Sequence, residues 1–288
     1  MADSKSRSKA GLERREAAEA LEAFLDPVNE AKVFALKGDW GVGKTHLVKT
    51  FLLNKKKDYY YSSVFGISSV DELKMQLWSN LQAANKEEKS SPLGKFDPRK
   101  ILSQAQQHSE AIGEIGGAVT SSVISLISNV LINNMLKEQL VCIDDLERMS
   151  KKIQLNELLG FVESLVEDHQ CKVILIYNED KICENQTANK TLKEYREKVI
   201  DIEVKLVPSA DENFYIGFGN NYPDEKVIFD YLAKEIVQTN NIRVLKKLRW
   251  ILNKLRPCIE DFLPLVRHKI IQEIIFISLA KFDKKFPI

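Results

Sequence analysis

The segment that most constrains what this chain can fold into is residues 38–45, which read Gly-Asp-Trp-Gly-Val-Gly-Lys-Thr. They match the pattern G-x-x-x-x-G-K-[ST], with an apolar run at 33–36 before them and a helical pattern at 45–53 after them. In a loop of this kind the backbone N–H groups point inward around phosphate, and the N-terminus of the next helix adds a favourable dipole. The sequence therefore predicts a phosphate-binding loop between a buried strand and a helix.

Individual positions of this loop have expected roles. The Lys44 ammonium is predicted to contact the β- and γ-phosphates, and the Thr45 hydroxyl to bind Mg²⁺. A chance match is the alternative, but three of only 12 glycines fall in this loop and the flanking strand and helix are present. The predicted nucleotide-binding residues are Gly38, Asp39, Trp40, Gly41, Val42, Gly43, Lys44, Thr45 and His46.

A pair of acids follows another apolar run. Residues 140–143 predict a buried strand that ends at Asp144 and Asp145. We expect Asp144 to hold Mg²⁺ and Asp145 to polarise the attacking water, with Glu147 as a substitute for Asp145. The alternative is an ordinary strand followed by a solvated turn.

Further polar residues complete the predicted catalytic set. Asn178 ends the next predicted strand, where it would orient water or, alternatively, cap the following helix. Arg196 and Lys198 end a helix, so either is a candidate finger onto a neighbouring subunit's nucleotide, although cations are favourable at any helix C-terminus.

Arg243 opens a basic helical segment at 242–256 that contains no acid. One interpretation places Arg243 against the γ-phosphate, where it would report the nucleotide state to a helical module. A solvated basic face and a nucleic-acid groove are the alternatives.

The order of patterns along the chain predicts the architecture. Strands at 33–36, 59–65, 140–143, 173–177 and within 199–207 alternate with helical segments, which indicates a parallel sheet covered on both faces. The predicted fold class is α/β, a parallel-sheet P-loop NTPase core with a C-terminal all-helical lid. The predicted domains are a helical lead-in at 1–31, the core at 32–208 with a helical insertion at 85–137, and the lid at 209–288. The predicted lid helices cover 225–238, 241–256 and 260–282.

Composition and one apolar segment bear on location. Net charge is +1, so no global field draws the chain to nucleic acid or membranes, and four scattered cysteines without a CxxC pair indicate a reducing, cytoplasmic location.

Residues 115–135 carry no charge and have the length of a membrane span. Serines and asparagines at three- and four-residue spacing favour a buried or subunit-facing helix over membrane contact.

Four stretches of the sequence resemble KAP-type P-loop NTPases, within the wider group of AAA+-like and STAND ATPases. They are 36–45, where Trp40 precedes the glycine, 143–148, 195–200 and 241–246. The resemblance spans about residues 15–256. It implies ATP and Mg²⁺ as cofactors, and for bacterial members it implies a place among antiphage defence ATPases.

The leading functional hypothesis is an ATPase whose nucleotide state controls assembly and the conformation of the lid. A nucleotide-binding switch or scaffold with negligible hydrolysis is the alternative, and the Asp-Asp pair with the helical tail argues against a kinase. Adenine is favoured over guanine because residues 177–180 lack the lysine of an N-K-x-D stretch. Apolar residues on more than one face of 260–282 predict a homo-oligomer or a further effector protein in cis or in trans.

Overall fold

The computed structural model describes residues 12–82, 136–232 and 241–283. The chain divides into two compact units. We call one the sheet unit, which comprises Ala17–Lys37 and Thr45–Lys205, and the other the helical unit, which comprises Met1–Glu16, Gly38–Lys44 and Leu206–Ile288. The domain boundaries proposed from the sequence stay a prediction. The uncharged segment 115–135, and all of the predicted insertion before Leu136, lie outside the described residues.

In the described part of the sheet unit, six strands form one sheet in the order β3-β2-β4-β5-β1-β6. Neighbouring strands are parallel except for β2 and β3, which confirms the predicted α/β fold. The two-residue strand β3 was not expected, because Leu81 continues the helical pattern of the preceding residues. The strands are β1 (Val33–Lys37), β2 (Tyr59–Ser63), β3 (Leu81–Gln82), β4 (Leu140–Asp144), β5 (Lys172–Tyr177) and β6 (Ile202–Lys205).

The central strands are apolar along nearly their whole length because both faces of the sheet are buried. Ser63 pairs with Asp144, and Ile143 pairs with Leu175, so the carboxyl ends of β2, β4 and β5 lie side by side. Polar residues at these ends therefore come from three crossover units but meet at one edge. The helices that begin or lie in this part of the chain are α1 (Arg14–Leu25), α2 (Lys44–Asn54), α3 (Val70–Ser79), α4 (Leu155–Glu167), α5 (Glu179–Cys183) and α6 (Gln186–Val199).

The helical unit contains α7 (Ala210–Phe218), α8 (Glu225–Asp230), α9 (Ile242–Ile259) and α10 (Pro264–Phe282). Helix α7 was not predicted. The sequence also predicts that α9 ends at residue 256, but the helix continues through Pro257 for one more turn, and α10 begins at Pro264, a position that suits proline. The core residues of this unit include Phe214, Phe218, Leu245, Leu248, Leu252, Ile275 and Leu279.

Helix α10 is buried along one stripe and exposed along another. Ile271, Ile275 and Leu279 are buried, whereas Phe276 is 39% and Ile277 is 63% exposed. The described residues thus cover only part of the apolar surface that the sequence places on this helix. None of the described helices combines the length and apolar character needed to cross a membrane.

A close contact between α7 and α9 allows a stability prediction. A Cβ atom added at Gly217 would lie 2.6 Å from the Cβ of Leu245, so Gly217→Ala should push the helices apart and destabilise the protein by about 1–3 kcal/mol. Gly160 is the matched control, because it is also helical and a Cβ there meets no atom within 4 Å. Gly160→Ala should be neutral or stabilising by about 0.5–1 kcal/mol. Urea unfolding followed by circular dichroism measures both changes, and equal midpoints for the two variants would contradict the close contact.

Candidate functional site

The phosphate-loop residues adopt the backbone that their glycines permit. Gly41 and Gly43 have φ of +80° and +90°, in the region that strains other residues. Lys44 is buried, and its Nζ donates to the carbonyl oxygens of Gly38 at 2.7 Å and Asp39 at 2.9 Å. The loop is therefore folded around its own lysine side chain.

Arg14, which sequence reasoning missed, contacts the loop within the helical unit. Its guanidinium donates to the Val42 carbonyl and, at 2.8 Å, to Oδ1 of Asn213 in α7, and it lies 3.9 Å from Glu212. A Cβ on Gly43 would come within 3.0 Å of the same guanidinium. Burial lowers the pKa of Arg14, with Glu212 acting against that shift. No spacing in the sequence connects Arg14 to the loop.

The first turn of α9 contacts the loop from within the same unit. The Ile242 N–H donates to the Gly41 carbonyl at 3.0 Å, and the Asn241 side chain lies against Gly41. Asn241 also caps α9 by accepting from the Arg243 N–H at 3.0 Å. The Arg243 side chain is exposed, and the γ-phosphate role predicted for it stays a prediction.

In the sheet unit, the Asp144 carboxylate is buried at the end of β4 and is surrounded by donors. Oδ2 accepts from the Thr45 hydroxyl at 2.6 Å and from the Tyr61 hydroxyl at 3.0 Å, and Oδ1 accepts from the Asp145 N–H at 2.7 Å. Burial raises the pKa of Asp144, and the Asp145 charge adds to this, while the hydroxyl donors oppose it. Tyr61 is a second contact that sequence reasoning did not find.

The other two candidate acids are also held by hydrogen bonds. Asp145 has left-handed backbone angles, and its Oδ2 accepts from the Ser63 hydroxyl at 2.7 Å. Glu147 accepts from the backbone N–H of Asn178 at 3.0 Å. The Asn178 side chain caps α5 by accepting from Lys181, which is the alternative that the sequence left open.

Arg196 belongs to an ion-pair network at the ends of β1, β5 and β6. It contacts Glu179 and lies 3.1 Å from Glu203, while Lys37 lies 2.7 Å from Glu179 and 3.0 Å from Glu203. The Tyr177 hydroxyl donates to Glu203 at 2.8 Å. Burial disfavours the charged forms of Arg196 and Glu179. Their oppositely charged partners outweigh this effect, so the pKa of Arg196 lies above its ordinary value and the pKa of Glu179 lies below its own.

The side chains of the three remaining predicted residues are exposed. Lys198 is exposed and makes no ion pair with a described residue. His46 is exposed, with Nδ1 3.5 Å from the Thr50 hydroxyl, and Trp40 is partly exposed. The finger roles predicted for Arg196 and Lys198 stay predictions.

The residues present fit a magnesium–nucleotide complex better than a protein-only metal site. Among the described residues no cluster of three or more His, Cys, Asp or Glu side chains is placed to hold a metal. Thr45 and Asp144 instead supply two hard oxygen atoms in contact, and Mg²⁺ is commonly held by one or two protein oxygens together with phosphates and water.

The strand–loop–helix arrangement, with a buried aspartate at the end of a parallel strand, defines a P-loop NTPase. A sequence model of the KAP family P-loop domain matches residues 14–247. The chain belongs to this family. Comparison with curated protein sequences found no match.

Solved structures of similar fold include DnaA and Cdc6p. The replication initiator DnaA bound to AMPPCP and single-stranded DNA superposes with a TM-score of 0.50 at 17% identity, over 94% of this chain and 69% of that one. Cdc6p from Pyrobaculum aerophilum gives 0.49 at 11% identity, over 85% of this chain and 63% of that one. This chain thus spans under two thirds of the Cdc6p chain. These likenesses concern the fold alone.

The Arg14 contacts generate a prediction. Arg14→Ala removes a charge-assisted hydrogen bond to the Val42 carbonyl, so nucleotide binding should weaken by about 1.5 kcal/mol, roughly tenfold. Arg15→Ala, an exposed neighbour in the same helix, removes the same charge and is the control. Titration with a fluorescent ATP analogue measures the affinities. Equal affinities for the two variants would show that Arg14 does not support the loop.

Proposed function

We propose that this chain binds ATP with Mg²⁺ and hydrolyses it. The loop 38–45 would hold the phosphates through its backbone N–H groups and the Lys44 ammonium. Thr45 and Asp144 would hold the metal. Asp145 would polarise the attacking water. The observation that carries the proposal is the 2.6 Å hydrogen bond between Thr45 and Asp144, which joins the loop threonine to the strand-end aspartate. When bound, Mg²⁺ supplies positive charge that offsets the phosphate oxygens.

The assignment of Asp145 rests on its position next to Asp144. Its left-handed backbone turns the chain directly after the strand, and the Ser63 hydrogen bond fixes its carboxylate. Glu147 is the substitute, but its carboxylate is held by the Asn178 N–H.

A second candidate function is a nucleotide-dependent switch with negligible hydrolysis. The observation that favours it is the engagement of both candidate acids, Asp145 by Ser63 and Glu147 by Asn178. A carboxylate oxygen that already accepts a hydrogen bond from the protein has to give up or share that contact in order to orient a water molecule. The switch would then report ATP occupancy without consuming it.

Three substitutions test the assignments and separate the two functions. Lys44→Ala should abolish ATP binding in either case, Asp144→Asn should remove the magnesium dependence of binding, and Asp145→Asn should keep ATP affinity but remove phosphate release. Binding is measured with a fluorescent ATP analogue, and turnover is measured by phosphate release with and without Mg²⁺.

Glu147→Gln is the matched comparison, and loss of turnover in that variant alone would transfer the role of Asp145 to Glu147. Negligible turnover in the wild type would leave only the switch, and ATP binding by Lys44→Ala equal to the wild type would refute both functions.

The proposal includes assembly. We expect the mass measured by size-exclusion chromatography with light scattering to grow when a non-hydrolysable ATP analogue is added, and Arg196→Ala or Lys198→Ala to reduce turnover in the assembled form. GTP should compete more weakly than ATP. A mass unchanged by the analogue would contradict the assembly hypothesis.

A role in bacterial antiphage defence belongs to this proposal through the KAP family membership. Plaque counts on bacteria that express the wild type or Lys44→Ala test it. Equal counts for these two strains would remove the defence role and leave the ATPase proposal standing.

A further inference from the structure

Helix α9 carries six basic residues and no acid, and some of the basic residues have partners in the helical unit while others are exposed. Three have partners: Arg256 lies 3.8 Å from Asp224, Arg249 and Arg256 lie over the Tyr222 ring, and Lys247 lies over the Phe282 ring. Lys246 and Lys254 are exposed, and neither makes an ion pair with a described residue. These two charges are not needed for packing.

Trp250 lies between the two lysines on the same helix face. Its side chain is 63% exposed, although tryptophan is among the residues that gain most from burial. Residues four apart lie on one face and are separated by about 6 Å along the axis, so Lys246, Trp250 and Lys254 form a row. We call this row the outer face of α9.

The chemistry of the outer face selects its ligand. Two ammonium groups match anionic groups spaced along a chain, and an exposed indole ring between them offers a stacking surface. A lipid surface fits less well, because the apolar face of α9, with Val244, Leu248 and Leu252, is buried in the core of the helical unit. On α9 this leaves Trp250 and the 38% exposed Leu255 as the large apolar side chains that could enter a bilayer.

We propose that the outer face of α9 binds single-stranded nucleic acid. Lys246 and Lys254 contact phosphates, and one base stacks on Trp250. Duplexes fit poorly, since their bases are already stacked and not available to the indole. The ligand is defined by backbone charge and an unstacked base, which single-stranded DNA and RNA share.

Fluorescence anisotropy of labelled mixed-sequence DNA and RNA oligonucleotides tests the proposal. Trp250→Ala should weaken single-strand binding about tenfold, and Trp250→Phe should restore most of it. Lys246→Ala with Lys254→Ala should weaken binding and reduce the slope of log affinity against log salt by about 1.4, since each phosphate contact contributes about 0.7. Lys190→Ala with Lys193→Ala, exposed lysines of α6, is the charge-matched control and should change neither.

Several outcomes would overturn the proposal. These are equal losses in the control pair, duplex binding as tight as single-strand binding, or no effect of Trp250→Ala. Binding to phosphatidylserine vesicles without binding to oligonucleotides would assign the face to membranes instead. Comparison of DNA with RNA decides between the two sources of single strands. None of these variants alters the phosphate loop, so ATP binding should be unchanged in all of them.

Discussion

The Asp144 carboxylate is the group on which the strand-end site depends. Burying an ionised carboxylate costs several kcal/mol unless donors surround it. Here the donors come from separate parts of the sheet unit: the Thr45 hydroxyl, the Tyr61 hydroxyl and the adjacent backbone N–H. Losing any of them would leave a buried charge less compensated, so the carboxylate fixes β2, β4 and the start of α2 relative to one another.

Strand order explains how this arrangement forms from distant residues. β4 lies between β2 and β5, so the residues that follow its carboxyl end have neighbours from both strands. Ser63 at the end of β2 reaches Asp145, and Asn178 just after β5 meets Glu147. Each acid after β4 is thus positioned by a residue at the end of a neighbouring strand. At the ends of β1, β5 and β6, Glu203 likewise joins residues from separate elements, because it contacts Lys37, Arg196 and Tyr177.

The sequence predicted the sheet well because buried parallel strands are nearly continuous apolar runs. It also predicted the phosphate loop, because the pattern of that loop is specific. It did not predict Arg14, Tyr61 or Ser63 as contacts, since these act through tertiary proximity and carry no spacing signal. It placed the end of α9 before Pro257, because proline usually marks a boundary, whereas the packing of Ile259 favours one more turn. Arg196 was predicted to reach another subunit, and its pairing with two glutamates is visible only once β6 and α5 are in place.

Four carbonyls of the phosphate loop have a donor within the helical unit. Lys44 donates to Gly38 and Asp39, Ile242 donates to Gly41, and Arg14 donates to Val42. Carbonyl oxygens repel phosphate, so donors that engage them reduce the electrostatic cost of bringing an anion to the loop. In the proposed ATP complex, the Lys44 ammonium is the one of these donors that would also contact phosphate. ATP binding would then draw Lys44 toward new acceptors, whereas Arg14 and Ile242 would keep their contacts.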